Sequence, residues 1–132
     1  MRYAAIVAVA GALLLAGCQT EPIRDMQADF KGLFGRSEGA PALAAGLRQY
    51  EDGGYVEAAR QLQQAIDQGL SRPERVNAHK HLAFIHCISG RTALCREEFR
   101  KVLAIEPGFD LPPAEAGHPT WGPVFRSVKS GR

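Results

Sequence analysis

Residues 46–66 and 83–103 of this 132-residue chain carry the same succession of small and large side chains, and this internal repeat constrains the fold more than any other feature. The first unit reads Gly46, Gly53, Tyr55, Ala58, Leu62, Ala65 and Ile66. The second reads Ala83, Gly90, Thr92, Cys95, Phe99, Val102 and Leu103, each 37 positions further on. In both units the apolar positions recur at helical spacing on either side of a glycine, so each unit predicts two helices doubled back on one another. The expected helices are 41–51, 55–69, 74–88 and 91–105, with Gly53-Gly54 and Gly90 at the turns. Small residues at Gly46 and Ala58, and at Ala83 and Cys95, let the paired helices approach closely, while Leu62 and Phe99 fill the space between pairs. The fold class is all-α.

This pattern resembles the tetratricopeptide repeat, a helical hairpin of about 34 residues. Pro107 stands where the closing proline of the second unit falls. The extra residues of the longer period are expected around Ser71-Arg72-Pro73, in the connection between units, where an insertion costs little. Each repeat of this kind buries its apolar face only against a neighbour, so two are fewer than a stable stack usually needs, and something else must cap them.

The obvious source of a cap is the tail. From Pro107 onward the chain becomes rich in proline, which rules out one long helix. Pro113 can open a short turn that Gly117 ends. Pro119 can open another, in which Trp121, Val124, Phe125 and Val128 share one face. Two readings stand for that face: Trp121 and Phe125 fold back as the missing cap on the second repeat, or they dock a partner as aromatic anchors.

The other end of the chain reads as an address. Residues 1–17 run from Met1-Arg2-Tyr3 through an apolar stretch, Ala4 to Leu15, to Ala16-Gly17, as in a signal peptide; the apolar run is short of the roughly 20 residues a membrane span needs. Leu15-Ala16-Gly17-Cys18 is similar to the lipobox at which lipoproteins are acylated and cut, which makes Cys18 the expected lipidation site and the membrane a partner through the anchor. Several acyl chains on one cysteine give lasting attachment, since each buried methylene contributes about 0.8 kcal/mol. By the sorting rule of the enterobacterial lipoproteins that this segment resembles, Gln19 in place of Asp implies the periplasmic face of the outer membrane. Residues 18–40 then form a tether carrying Pro22, Gly32, Gly35 and Gly39. Within it Ile23, Met26, Phe30, Leu33 and Phe34 recur near helical spacing, either as a short amphipathic helix or as incidental apolar residues.

Composition and the remaining reactive residues narrow the function. A net charge of +2, with 16 basic against 14 acidic residues, lacks the electrostatic footprint of nucleic-acid binding. Cys87 and Cys95 flank the Gly90 turn and in an oxidising periplasm read as a disulfide, with two buried thiols as the alternative. A zinc site drawn from His79, His81, His86, Cys87, Cys95 and His118 is a weaker reading, because no metal-ligand spacing is present. His79 and His86 instead fall on packing positions of the repeat. No paired acid and base, nucleophile elbow or phosphate loop appears, so neither an enzyme, a cofactor nor a small-molecule substrate is expected.

The later part of the chain carries more distinctive runs: Phe84-Ile85-His86-Cys87, Ser89-Gly90-Arg91, Cys95-Arg96-Glu97-Glu98-Phe99-Arg100, and Pro113-Ala114-Glu115-Ala116-Gly117-His118-Pro119 followed by Trp121-Gly122-Pro123-Val124-Phe125. Over about residues 79–128, with the lipobox, these resemble the TssQ family, lipoproteins associated with type VI secretion systems. The resemblance implies a periplasmic accessory that touches subunits of the secretion system's membrane complex or the cell wall around it. A scaffold of this kind would receive a peptide or subunit loop in the groove lined by Asn77, Lys80 and Phe84, with Lys80 and Arg91 available to an acidic segment. Glu115, His118, Trp121 and Phe125 of the tail complete the candidate partner-binding residues. The alternative is an outer-membrane assembly lipoprotein with no part in secretion.

Overall fold

The computed structural model describes residues 36–131; the expected signal peptide, Cys18 and all but the last few residues of the tether lie outside that range. Among the described residues there are six helices and no strand: α1 (Ala40–Glu51), α2 (Tyr55–Gln68), α3 (Arg72–Ile88), α4 (Thr92–Ile105), α5 (Pro113–Ala116) and α6 (Gly122–Lys129). The all-α reading holds.

Short glycine turns set the pairing. Gly53 and Gly90 both lie at positive φ (80° and 76°), a region open to glycine at little steric cost, and each reverses the chain within three residues. α1 therefore packs along α2, and α3 along α4. The approach of α1 to α2 is close at Gly46, where a Cβ would stand 2.9 Å from Cγ of the fully buried Leu62. Ala83 and Phe99, both fully buried, hold the corresponding positions in the second pair.

Two differences from the expected boundaries have physical causes. α3 begins at Arg72 rather than near residue 74, because Ser71 and Glu74 form a capping box in which the Ser71 N–H donates to the Glu74 carboxylate at 2.8 Å. Arg72 and Pro73 thus form the first helical turn instead of an insertion in the connection. The Arg72 guanidinium also donates to the Ile105 carbonyl at 2.7 and 3.1 Å, which satisfies an orphan acceptor at the end of α4. The folded part also starts earlier than residue 41. Ser37 donates to Glu74, the Gly39 N–H donates to the Gly69 carbonyl at 2.8 Å, and a Cβ on Gly39 would lie 2.1 Å from the Ala65 carbonyl oxygen. The last residues of the expected tether are therefore fastened to the junction of α2 and α3.

The interior consists of two apolar clusters. One lies between α1, α2 and α3 and is built on Leu43, Ala58, Leu62, Ala65, Ala78, Leu82 and Ile85. The other joins α3 and α4 to the C-terminal segment, with Phe84, Cys87, Cys95 and Phe99 packed against Leu111, Trp121 and Phe125. α6 lies along α4, turning Gly122 and Phe125 inward and leaving Pro123, Arg126, Lys129 and Ser130 exposed. Polar ties hold it there: Arg96 donates to the Ser127 hydroxyl at 2.9 Å, and Lys129 donates to the Phe109 carbonyl at 3.1 Å.

Candidate protein-binding face

α3 presents Asn77, Lys80, His81 and Phe84 at spacings of three and four residues, which place them on one side of the helix. α1 brings Tyr50 to the same side, and the first turn of α2 brings Tyr55. The result is a continuous row of rings. Tyr55 and Tyr50 have centroids 5.7 Å apart, Tyr50 and His81 5.0 Å, and His81 and Phe84 5.6 Å. The row continues into the tail, where Trp121 stacks on Phe84 at 4.1 Å and His118 stacks on Trp121 at 3.4 Å.

Polar contacts fix the tail's share of this row. Lys80 donates to both Glu115 oxygens at 2.8 and 3.0 Å, with only 14% and 27% of the two side chains exposed. The Trp121 indole N–H donates to the Glu115 carbonyl at 2.9 Å, and the Thr120 N–H donates to His118 Nδ1 at 3.2 Å. Lys80 was expected to be open to an acidic segment from a partner; its acidic partner here is Glu115 of the same chain. Phe84, Trp121 and Phe125 are buried, so in this arrangement they pack against one another rather than offering free surface. Phe125 sits between Phe99 at 5.1 Å and Phe109 at 6.0 Å. Arg91 turns to His86, donating to its Nδ1 at 3.2 Å.

The uncovered end of the row has a defined protonation pattern. His81 Nδ1 lies 2.9 Å from the Asn77 carbonyl oxygen, which can only accept, so Nδ1 carries the proton. Burial, helped by the nearby Lys80 charge, pushes the His81 pKa down against the upward pull of that hydrogen bond, so the ring is neutral at pH 7 with Nε2 as an acceptor. Burial and the neighbouring Tyr55 and Glu115 push the Tyr50 phenol up, which keeps it a protonated donor. Among the described residues no buried side-chain nitrogen or oxygen lacks a partner.

Away from this face, Cys87 and Cys95 form a disulfide with Cα atoms 5.2 Å apart, bracing the turn between α3 and α4. His79 Nδ1 lies 2.6 Å from Glu98 Oε2, and Lys101 donates to the other oxygen at 2.7 Å. Burial alone would raise the Glu98 pKa; the hydrogen bonds from His79 and Lys101 outweigh it and hold the carboxyl below its ordinary range. His79, Cys87 and Cys95 are thus engaged in bonds within the fold. Among the described residues no three His, Cys, Asp or Glu side chains converge as a metal site would require.

Sequence reasoning did not single out Tyr50 or Glu98. Tyr50 continues the stripe of Leu43 and Leu47, three or four residues apart, and that spacing was the available signal. Glu98 lies between Cys95 and Phe99 on the buried stripe of α4, where a charge signals a buried partner. No protein-family model, curated protein or solved structure matches this chain.

Proposed function

We propose that this chain is a lipid-anchored periplasmic scaffold: two tetratricopeptide-like hairpins, closed by the proline-rich tail, that bind other envelope proteins. The observation that carries the reading is the row of rings, buried at Phe84 and Trp121, partly buried at Tyr50 and His81 and exposed at Tyr55. An exposed Tyr ring beside partly buried Tyr and His rings, flanked by polar groups, supplies contact area at low entropic cost, as protein-binding surfaces do. The repeat reading is supported by the 37-residue offset, the close contact at Gly46 and Pro107 after the second unit. The capping reading is supported by the polarity of α6, apolar inward and charged outward, as a terminal element of a repeat stack should be.

The anchor rests on Leu15-Ala16-Gly17-Cys18 and the outer-membrane address on Gln19. The role we assign is that of an accessory to a type VI secretion system, on the strength of the TssQ-like runs between residues 79 and 128. We assign no catalytic role, cofactor or nucleic-acid partner. The test is crosslinking and pull-down from native membranes with the wild type and with Tyr55→Ala. Recovery of secretion-system membrane subunits by the wild type, reduced in the variant, is the expected result. Recovery of unrelated envelope-assembly proteins alone would replace the secretion role with a general assembly role, and recovery of no protein would remove the scaffold reading.

A further inference from the structure

The C-terminal tail is braced largely by its own bonds. Among the described residues, the backbone-to-backbone hydrogen bonds donated from Glu115 to Gly131 all stay within the tail. The Trp121 indole, Arg126 and Lys129 donate to the carbonyls of Glu115, Ala116 and Phe109, and Lys129 pairs with Asp110 at 3.0 Å. A Cβ on Gly122 would stand 2.4 Å from the Ala116 carbonyl oxygen, so α5 and α6 are packed closely together. This unit meets the repeats through Leu111, Trp121 and Phe125, seated against Phe84 and Phe99, with Lys80 on Glu115 and Arg96 on Ser127. The connection leading to it is slight. Glu106, Pro107 and Gly108 are exposed, nothing lies within 4 Å of a Cβ placed on Gly108, and the Phe109 N–H folds the connection back by donating to the Glu106 carbonyl. Glu106 is already extended (φ −137°, ψ 89°), as a residue before proline tends to be. Straightened from Ile105 to Leu111, the connection reaches about 20 Å.

We infer that the tail exchanges between two copies of this chain: residues 109–131 of each seat on α3 and α4 of the other, giving a two-fold dimer. The contacts of the tail with the repeats are then made between copies instead of within one, so exchange gives up the turn bond at Glu106 and the advantage of a tethered ligand. Confinement of both copies to one membrane surface offsets the second loss. That term rests on the anchor proposed above; the contact itself does not.

The occupant follows from complementarity already present. Lys80 takes a carboxylate, Phe84 an indole and Phe99 a phenyl ring, in the order Glu115, Trp121, Phe125. A second copy supplies that set by construction. The exchanged pair is closed and symmetric, because each copy gives one tail and receives one, and it carries two ring rows on one particle.

The test mixes equal amounts of heavy-nitrogen and ordinary full-length chain in urea, refolds them together and reconstitutes them into vesicles of phosphatidylethanolamine and phosphatidylglycerol. A carbodiimide then couples Lys80 to Glu115, since it joins an ammonium to a carboxylate held at hydrogen-bond distance. Mass spectrometry of the coupled peptides reads which copy gave each residue. Exchange predicts peptides that join a heavy residue to an ordinary one, approaching about half of the total when every tail is exchanged. Same-isotope peptides alone overturn the inference. A second measurement uses Lys80→Glu and Glu115→Lys, each checked for folding by circular dichroism. Either variant sets like charges together within one copy and in a dimer of like copies, whereas a mixed dimer regains opposite charges at both sites. Native mass spectrometry of the mixture in detergent should show at least about tenfold more mixed dimer than like dimer. Monomers only, or mixed and like dimers in equal amounts, overturn the inference. The isotope result decides alone where a variant fails to fold. The detergent measurement needs no anchor and neither readout involves an envelope partner, so failure of the exchange and failure of the scaffold reading are distinguishable.

Discussion

Replacing Trp121 with alanine should cost this fold about 3–4 kcal/mol. The side chain is 8% exposed and lies between His118 and Phe84 at centroid distances of 3.4 and 4.1 Å. Truncating a buried tryptophan costs about 3–5 kcal/mol, including about 0.5–1.5 kcal/mol for stacked aromatic partners. The lost indole hydrogen bond does not orphan its acceptor, because the Glu115 carbonyl also receives the His118 N–H at 3.1 Å, which keeps the cost toward the lower part of that range. In a domain of this size about 3 kcal/mol lowers Tm by about 12 °C or more. Urea unfolding followed by circular dichroism measures the loss in the variant. Trp121 is the chain's single tryptophan, so in the wild type its fluorescence reports the tail directly. Trp121→Phe, which keeps a ring on Phe84, should recover most of the stability. A loss below about 1 kcal/mol for Trp121→Ala would refute the claim that the tail completes the fold.

Four further outcomes follow from the same geometry. Removing the disulfide by Cys87→Ser with Cys95→Ser should destabilise the domain by about 2–3 kcal/mol, the chain-entropy value for so short a loop, measured by urea unfolding without reductant. Glu98→Ala strands buried His79 and should cost about 2–3 kcal/mol, with Glu98→Gln recovering part of it; equal losses in the two variants would argue against the hydrogen bond as the cause. Stability should fall on acidification. His81 and His86 are held below their ordinary value of 6.5 by burial, so the unfolded chain takes up protons first: their contribution is complete above pH 6.5 and declines as pH drops, with Glu98 adding a further loss below about 4.5. Unfolding midpoints at pH 7.5 and 5.5 test this, and a flat or rising profile contradicts it. Cys18→Ser should abolish incorporation of labelled palmitate into the protein, and labelling that persists in the variant would remove Cys18 as the lipidation site.

What could be read in advance divides along sequence separation. α2 and α4 came within one residue of expectation at each end, because Gly53-Gly54 and Gly90 are local signals. The start of α3 is the exception: Ser71-Arg72-Pro73-Glu74 is the local Ser-x-x-Glu pattern of a capping box with proline in the first turn, and it was read as an insertion in the connection instead. The shared face of Trp121 and Phe125 was visible from spacing alone, but its destination was not: Lys80 and Glu115 stand 35 residues apart, and nothing local marks them as partners. The ring row was harder still. It takes one residue from α1, one from α2, two from α3 and two from the tail; Phe84, His118 and Trp121 were among the candidate binding residues, but nothing local joins them to Tyr50, Tyr55 and His81. The buried contact of His79 with Glu98 was half visible, since His79 fell on a packing position while its acidic partner attracted no notice.

The most direct test of the scaffold claim is photo-crosslinking in native cells from a single photoreactive residue placed at position 55, on the ring row, with position 64 on the outer surface of α2 as the control. The claim predicts a discrete crosslinked product from position 55 containing a membrane-complex subunit of the secretion system, absent from position 64. The same products from both positions, or none from position 55, would contradict it.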